Sequence, residues 1–312
     1  MANFGKVIVI TGPTATGKTA LAVSLCEKTG GEVVSADSMQ VYRGFDIGTA
    51  KVTAAETHGI PHHMIDVADA GEPYSVSRWV EEADRCCRDI LSRGKTPVIA
   101  GGTGLYIDSL LSGRCFAPAP GDDGLREALS AQYDELGGEK MLALLAEFDP
   151  DRAKRLAPAD KKRIVRAIEV FRLTGKTITE HDEETKALPP RYASVRFALS
   201  FRDRQRLYDR IDARVDKMVE LGLAGEVRRL LSEGADEGCT AMQAIGYKEM
   251  LGALRGECSM DEAIAEIKLA SRRYAKRQLT WLRRDEALTW LLWDEQPDIP
   301  AALRQILDIL DK

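Results

Sequence analysis

The sequence predicts an α/β fold in which a parallel β-sheet is flanked by helices, and three observations support this class. The apolar run Val7–Ile10 is followed by a glycine-rich segment and then by a helical stretch. Further apolar runs at 32–36 and 96–100 end at polar or glycine-rich turns and alternate with helical patterns. Strands that alternate with helices form parallel sheets covered by helices. A hydrophobic content of 44% and a charged content of 30% are ordinary for a globular protein.

Five strands are predicted from short apolar runs that are bounded by turn residues. They lie at 6–11, 32–36, 96–100, 195–200 and 288–293. Helices are predicted from the glycine-rich segment as far as Lys28, and then over 76–93, 204–221, 261–284 and 299–310. The helix at 76–93 has the clearest pattern, because Trp79, Ala83 and Ile90 fall on one face at helical spacing.

The middle of the chain has a different pattern and divides the protein into two domains. A segment rich in proline and glycine at 118–121 interrupts the alternation, and no further strand pattern occurs before Val195. The intervening residues have helical patterns that are separated by prolines. We therefore expect a helical insertion domain at 117–192 and an α/β core formed by 1–116 and 193–312.

Composition and charge narrow the functional classes. The net charge is −5, so a site for a polyanion has to be a local basic patch. No apolar stretch is long enough to span a bilayer, and the N-terminus runs directly into a strand without the pattern of a signal peptide. The six cysteines form no Cys-x-x-Cys pair, and with four histidines no zinc pattern occurs. We expect a cytoplasmic protein with reduced cysteines and no membrane partner.

The glycine-rich segment at 12–19 reads GPTATGKT and matches the phosphate-binding pattern G-x-x-x-x-G-K-[ST]. Backbone N–H groups of such a loop form an anion site, and the helix that follows adds the positive end of its dipole. Lys18 supplies an ammonium group, and Thr19 supplies a hydroxyl suited to Mg²⁺. The alternative, a turn that merely joins strand to helix, leaves the Lys-Thr pair unexplained. The sequence therefore predicts a P-loop NTPase-like fold with a phosphate site formed by Gly12, Pro13, Thr14, Ala15, Thr16, Gly17, Lys18 and Thr19.

Polar residues follow two further strands, at the edge of the sheet where the phosphate loop also lies. Asp37 is a candidate general base, although it equally suits the N-cap of a helix. Gln40 has the two groups needed to pair with a purine edge, but is also an ordinary loop residue. Thr103, in the segment 101–104, either places a hydroxyl in the site or caps a tight turn. The residues alone leave these alternatives open.

Three more clusters are candidates for binding. His62, His63 and Asp66 could be metal ligands. However, adjacent histidines point in different directions and no third ligand occurs at a suitable spacing, so hydrogen bonding is the favoured role. Two basic stretches occupy helical segments at 160–166 and 272–284, and the second interleaves Tyr and Trp with six basic residues. A charge run is usually a solvated helix face, but in an acidic protein this composition favours contact with a phosphate backbone.

Taken together, these motifs resemble the bacterial tRNA dimethylallyltransferase family along nearly the entire chain. The matching segments are GPTATGKT at 12–19, DSMQVYRGFDIGTAK at 37–51, HHMID at 62–66, GGTGLYI at 101–107, DKKRIVRAIEVFRLTGK at 160–176, QAIGYKE at 243–249 and RRYAKRQLTWLRR at 272–284. The segment 37–51 together with GGTGLY is the most specific. Thr16 replaces the serine of many members but keeps the hydroxyl. The zinc finger of eukaryotic members is missing, which fits a bacterial type.

The resemblance implies transfer of a dimethylallyl group from dimethylallyl diphosphate to N6 of adenosine 37 in tRNA, with release of diphosphate. The loop, which in other proteins holds ATP, then holds a diphosphate, assisted by Lys18 and by Arg214, with Arg202 in the same region. Asp37 accepts the proton of the amine, and Thr103 lies across the site. The implied tRNA contacts are Asp37, Ser38, Met39, Gln40, Thr103, Arg126, Lys162, Arg163, Arg166, Gln243, Gly246, Lys248, Arg272, Arg273, Lys276 and Arg277.

The expected partners are Mg²⁺ at Thr19, dimethylallyl diphosphate and the anticodon stem-loop of tRNA, bound by a monomer. Two other functions share the phosphate loop. A small-molecule or nucleotide kinase would transfer a phosphoryl group from ATP, but leaves the basic aromatic segment and the Asp37–Gln40 segment unexplained. An RNA-binding NTPase switch needs a guanine-reading Asn-Lys-x-Asp motif, which the sequence lacks.

Overall fold

The computed structural model describes residues 5–114, 116 and 123–311. Within these residues the chain divides into two compact units. One runs over Ser112–Arg191, and the other comprises the chain before Ser112 and after Arg191. The insertion boundary that we placed at residue 117 falls outside the described residues. No helix of the described chain is both long enough and apolar enough to cross a membrane.

The larger unit contains a sheet of six strands, all of them parallel, which confirms the predicted fold class. The strands are β1 (Lys6–Thr11), β2 (Glu32–Ser35), β3 (His62–His63), β4 (Pro97–Gly101), β5 (Ala193–Phe201) and β6 (Leu288–Trp293). Their order across the sheet is β3-β2-β4-β1-β5-β6. Sequence analysis missed β3, because its two histidines carry no apolar pattern and only the pairing with Val33 and Val34 makes them a strand.

Thirteen helices are described in the two units. In chain order they are α1 (Lys18–Thr29), α2 (Val76–Ser92), α3 (Gly104–Ser112), α4 (Asp123–Leu136), α5 (Gly138–Ala146), α6 (Pro150–Ala153), α7 (Lys161–Thr174), α8 (Ile178–Lys186), α9 (Arg204–Glu220), α10 (Leu223–Ser232), α11 (Tyr247–Leu254), α12 (Met260–Leu282) and α13 (Ile299–Leu310). The five helices predicted with bounds are α1, α2, α9, α12 and α13, and the helical segment predicted at 160–166 lies in α7. Capping by Ser75 begins α2, and a capping box of Ser259 with Glu262 begins α12.

Each unit has a hydrophobic core of its own. In the sheet unit, Ile10, Val98 and Phe197 from adjacent strands are buried together with residues of the covering helices. The strands read as unbroken apolar runs because helices cover both faces of a parallel sheet. In the helical unit, Met141, Ile164 and residues around them form a separate core.

The strand register brings three separate chain segments to one edge of the sheet. Thr11, the last residue of β1, pairs with Gly101 at the end of β4. Ser35, the last residue of β2, pairs with Ala100. The chain that follows each of these three strands therefore emerges at the same carboxyl edge, where ligands bind in open α/β sheets.

Candidate active site

The phosphate loop has the backbone conformation that its glycines and small residues permit. Gly12, Ala15 and Gly17 all have positive φ angles, of 147°, 65° and 88°. A Cβ atom on Gly12 would lie 2.6 Å from the carbonyl oxygen of Leu199, so only glycine fits beside β5. The buried Thr16 hydroxyl donates to the carbonyl of Pro13 at 2.9 Å. Thr16 therefore holds the loop closed upon itself.

Two side chains from distant segments brace the loop. The Trp293 Nε1 atom donates to the Thr16 carbonyl at 2.9 Å. Arg210, on α9, donates from Nε to the Ala15 carbonyl at 3.1 Å. Arg202, which follows β5, is instead exposed and pairs with Asp294 at 3.1 Å. Of the arginines in this region, Arg210 was not singled out by sequence analysis, because no local pattern marks its contact with a loop 195 residues away.

Lys18 and Arg214 place two positive charges beside the loop. Burial and the charge of Arg214 lower the pKa of Lys18 to about 7, while Asp37 opposes them. Burial also lowers the pKa of Arg214 below its ordinary value, opposed by the charges of Asp37 and Glu56. The Nε atom of Arg214 is buried without a hydrogen-bond partner in the described chain. Because burial disfavours the charged forms of both Lys18 and Arg214, a bound anion would stabilise them.

Lys18 and Thr19 differ in what they contact. The Lys18 Nζ atom donates to the Pro13 carbonyl at 2.8 Å, so without a ligand its proton is held by the loop itself. Thr19 is exposed in the first turn of α1. The described residues contain no group of three His, Cys, Asp or Glu side chains that would hold a metal by themselves. A metal at Thr19 would therefore need ligands from a bound substrate.

Asp37 begins a turn that follows β2. Its Oδ1 atom accepts hydrogen bonds from the backbone N–H groups of Met39 at 2.9 Å and Gln40 at 3.4 Å. The carboxylate thus organises the turn, as a helix cap would, although no helix follows. In the described part of the chain both of these bonds end on Oδ1, so Oδ2 is the oxygen available to a ligand.

Thr103 connects the end of β4 to the Asp37 turn. Its Oγ1 atom accepts from the backbone N–H of Ser38 at 3.1 Å, and its own N–H donates to Ala36 at 3.1 Å. Burial raises the pKa of Tyr274, on α12, to about 12, and the nearby Thr103 side chain opposes this shift. The Thr103 side chain therefore spans two strand ends, a role that distinguishes it from a cap of α3.

The Gln40 side chain is used within the protein. Its Oε1 atom accepts from the Ser35 hydroxyl at 3.2 Å. Its Nε2 atom lies 3.3 Å from the carbonyl of Thr49 and 3.4 Å from that of Ala50. Arg214 donates to the same Thr49 carbonyl at 3.5 Å. Reading a base with this amide would require these contacts to open.

The rest of the segment 37–51 is anchored by buried charges. Lys51 pairs with Asp46 and with Asp66, both at 2.6 Å. Glu226, on α10 and 6% exposed, accepts from the backbone N–H groups of residues 46–48 and from the Tyr247 hydroxyl at 2.7 Å. Sequence analysis did not select Glu226, because it lies about 180 residues from the turn that it holds.

The two adjacent histidines lie away from the carboxyl edge. His62 is hydrogen-bonded from Nδ1 to the carbonyl of Ile60 at 2.9 Å. His63 contacts the buried carboxylate of Glu32 at 2.8 Å. These contacts agree with hydrogen-bonding roles, and Asp66 is engaged by Lys51.

Helix α12 carries a basic groove on its exposed side. The groove has a volume of about 480 Å³ and is lined by Arg273, Lys276, Arg277, Thr280, Trp281 and Arg284. Arg277 lies over the ring of Tyr274 at 5.5 Å, and Arg284 lies over that of Trp281 at 5.8 Å. Arg272, which belongs to the same stretch of sequence, instead pairs with Asp212 of α9 at 2.5 Å. The basic stretch thus has one face committed to packing and one face available to a ligand.

The helical unit uses two of its four candidate cations internally. Arg126 and Arg166 both donate to Glu169, at 2.9 and 2.8 Å, and the Glu169 carboxylate is fully buried. Lys162 and Arg163 are exposed on α7. Sequence analysis grouped the four as RNA contacts, and the structure shows that Arg126 and Arg166 already neutralise a buried carboxylate.

The candidate contacts before and within α11 are exposed only in part. The Gln243 amide is exposed and donates to the Glu237 carbonyl at 2.9 Å. Gly246 is buried, and its N–H donates to the Glu249 carboxylate at 2.8 Å, beginning α11. Lys248 lies 3.3 Å from the same carboxylate, with 49% of its side chain exposed. Gly246 thus contributes a turn, whereas Gln243 and Lys248 present side chains to the solvent.

Comparison with known proteins identifies similar chains with the same set of motifs. The family model described as IPP transferase matches residues 40–285, and that described as isopentenyl transferase matches residues 5–68. A tRNA dimethylallyltransferase of a Thermoanaerobacter species is 42% identical over 98% of this chain and 97% of its own. That of Acetivibrio thermocellus is 46% identical over 93% of this chain and 92% of its own.

Solved structures with the same fold include two transferases that act on tRNA. A tRNA isopentenylpyrophosphate transferase from Bacillus halodurans superposes with a TM-score of 0.73 at 40% identity, covering 98% of this chain and 95% of its own. A eukaryotic dimethylallyltransferase acting on tRNA superposes with a TM-score of 0.83 at 30% identity, covering 98% of this chain and 80% of its own.

Proposed function

The chain belongs to the IPP transferase family, and we propose that it transfers a dimethylallyl group from dimethylallyl diphosphate to N6 of adenosine 37 in tRNA. The observation that carries this function is the carboxyl edge of the sheet, where the phosphate loop, Lys18 and Arg214 lie near Asp37. The cations and the loop N–H groups suit a diphosphate, and a nearby carboxylate suits an amine that has to lose a proton.

The donor binds with its diphosphate in the phosphate loop of residues 12–19. Cleavage of the allylic carbon–oxygen bond leaves negative charge on the departing diphosphate. The Lys18 ammonium, Arg214 and the loop N–H groups stabilise that charge as it develops. The Lys18 ammonium has three N–H donors, so it can keep its hydrogen bond to the Pro13 carbonyl and also donate to phosphate oxygens.

The acceptor amine lies against Asp37. Its N6 attacks the allylic carbon, and the proton that it loses passes to the carboxylate of Asp37. Because Oδ1 holds the turn at Met39 and Gln40, Oδ2 is the natural proton acceptor. Thr103 joins the Asp37 turn to the end of β4 and thereby fixes the position of Asp37 relative to that strand.

Magnesium fits the phosphate end of this site. The Thr19 hydroxyl would hold the ion together with oxygens of the bound diphosphate, since Mg²⁺ commonly takes few protein ligands and retains several waters. When bound, the ion neutralises charge on the leaving diphosphate. The exposed position of Thr19 beside Lys18 is compatible with such a ligand.

The anticodon stem-loop of tRNA is the proposed macromolecular substrate, bound by a monomer. Its phosphates suit the basic groove of α12 and the exposed Lys162 and Arg163 of the helical unit. An adenine within a structured loop has to leave its stack to reach Asp37, so we expect the base to be extruded on binding.

Mass spectrometry of an unmodified tRNA tests this function directly. The RNA is incubated with the protein, Mg²⁺ and either dimethylallyl diphosphate or ATP. We expect the mass of one dimethylallyl group to be added at adenosine 37 with the first donor, and no change with ATP. Phosphoryl transfer from ATP to any acceptor, without prenylation, would establish the kinase alternative instead.

A further inference from the structure

One side of helix α12 contacts both the phosphate loop and the 101–104 loop. Tyr274, Gln278 and Trp281 are spaced at i, i+4 and i+7 along this side, and Trp281, which is 38% exposed, lies where it meets the basic groove. Tyr274 lies near the Thr103 side chain. A Cβ atom on Gly104 would lie 2.4 Å from the Trp281 ring, which shows how closely the helix and the loop after β4 approach.

Gln278, between these two aromatic residues, is bonded to both loops of the site. Its Oε1 atom accepts from the backbone N–H of Thr14 in the phosphate loop at 3.2 Å. Its Nε2 atom donates to the Gly102 carbonyl at 3.0 Å. The residue is 8% exposed. The orientation of the amide follows from its partners, since an N–H requires the oxygen and a carbonyl requires the NH₂ group.

We propose that Gln278 is a positioning residue, whose carboxamide joins the phosphate loop to the 101–104 loop and thereby sets the separation of donor and acceptor. This role rests on the prenyl transfer proposed above. The phosphate loop places the allylic carbon, and the 101–104 loop supports Asp37 through Thr103. A bimolecular displacement depends steeply on the distance and alignment of the reacting atoms, so a side chain bonded to both loops acts on the chemical step.

Gly102, which accepts the hydrogen bond from Gln278, also supports this role. A Cβ atom at this position would lie 2.2 Å from the Gln278 Nε2 atom. The Gly102 φ angle is not among the positive ones, so a methyl group there is excluded by the carboxamide and not by backbone strain. The absence of a side chain at Gly102 thus leaves the space that the Gln278 amide occupies.

The first test replaces Gln278 by Met, which has a similar length but neither hydrogen-bonding group. We expect kcat for prenylation to fall by roughly 10- to 100-fold, while the Kd for tRNA stays within about twofold because the exposed face of α12 is unchanged. Gln205→Met, on the exposed start of α9, is the matched control and should behave as the unaltered protein. A kcat for Gln278→Met within twofold of the control would overturn the positioning role.

A double substitution distinguishes positioning from simple packing. Gly102→Ala should displace the carboxamide and reproduce the loss of kcat, and the loss should not grow further when Gln278→Ala is added, because the same contact has already been lost. Additive losses would overturn the proposal. If Gln278→Met does not fold, Gly102→Ala alone and in combination with Gln278→Ala test the proposal instead.

The unaltered protein separates this proposal from the proposed function. If it does not prenylate tRNA, the proposed function itself fails. If it does and the variants match it, only the role of Gln278 fails.

Discussion

The two ends of strand β2 both carry buried charge, and they differ in how that charge is balanced. At the amino end, Glu32 is 2% exposed and its carboxylate contacts Arg93, Lys95 and His63. At the carboxyl end, burial disfavours the charged forms of Lys18 and Arg214, and among the described residues Asp37 opposes this only through its charge, without a direct hydrogen bond to either cation.

The pKa shifts report the same difference. Hydrogen bonds from Arg93 hold the pKa of Glu32 well below its ordinary value, since the charged form is the one that the protein stabilises. Burial and Arg214 act in the opposite sense on Lys18, whose charged form is disfavoured. A satisfied cluster contributes to stability, whereas an unsatisfied one reserves its interactions for a ligand.

The largest effect is expected from Asp37, the carboxylate whose charge acts on both Lys18 and Arg214. Asp37→Asn keeps an oxygen for the Met39 and Gln40 N–H groups but cannot take a proton, and Asp37→Ala removes both functions. We expect kcat to fall by at least about 10²-fold in both variants. Binding of inorganic pyrophosphate, measured by calorimetry, should be unchanged or tighter, because a nearby negative charge is lost. Weaker pyrophosphate binding in Asp37→Asn would show that the residue supports the loop and is not the base.

Glu32→Gln should reduce stability and leave catalysis unchanged. Loss of the charge-assisted hydrogen bonds should lower the free energy of unfolding at pH 7 by about 1.5–3 kcal/mol. Because the folded-state pKa of Glu32 is depressed, its contribution is complete above the ordinary carboxyl pKa and is lost as the pH falls through the folded value. Denaturant unfolding at several pH values should show the two proteins converging below about pH 4. A difference that persists unchanged in acid would contradict the charge-based explanation.

The Lys18 ammonium should make pyrophosphate binding depend on pH. With a pKa of about 7 in the free protein, Lys18 has to take up a proton to bind an anion at higher pH. The affinity should therefore fall by up to about tenfold per pH unit above 7. Titration calorimetry with pyrophosphate, in the presence of a metal chelator, measures this affinity. Lys18→Met is the control, because pyrophosphate's own titration is common to both proteins. Parallel pH profiles for the two proteins would rule out this titration.

The smallest effect contrasts a paired and an unpaired cation on α12. Arg277 lines the basic groove, whereas Arg272 is held by Asp212. Arg277→Ala should reduce the slope of log K for tRNA against log salt by about 0.7–0.9, and Arg272→Ala should change it much less. Filter binding between about 50 and 200 mM salt measures both. An equal change in both variants would show that ion pairing with Asp212 does not withhold Arg272 from RNA.

The two basic stretches show where sequence patterns stop being informative. Both looked alike as runs of Lys and Arg on helices. Arg166 is committed to the buried Glu169 and Arg272 to Asp212, while Arg163 and Arg277 are exposed. Arg166 pairs with a buried carboxylate of its own helix, whereas Arg272 pairs with a carboxylate of α9 that lies 60 residues away and that no local pattern marks.

The sheet was largely predictable, and its omissions have a physical cause. Apolar runs identified five of the six strands, because a strand covered on both faces is apolar throughout. Strand β3 has two residues and no such pattern. Helices α10 and α11 were not placed individually, since short helices carry too few turns for a periodicity to stand out.

The sequence by itself determined the fold class, the family and the phosphate loop, because each depends on groups that are neighbours along the chain. Gly12 and Gly17 have positive φ angles within one short loop, and Lys18 follows Gly17 directly. Only the tertiary structure decided the rest of the site. Glu226 holds a turn about 180 residues away, and Gln278 joins loops 264 and 176 residues away. The packing of helices on the sheet determines such partners, and this packing produces no characteristic spacing in the sequence.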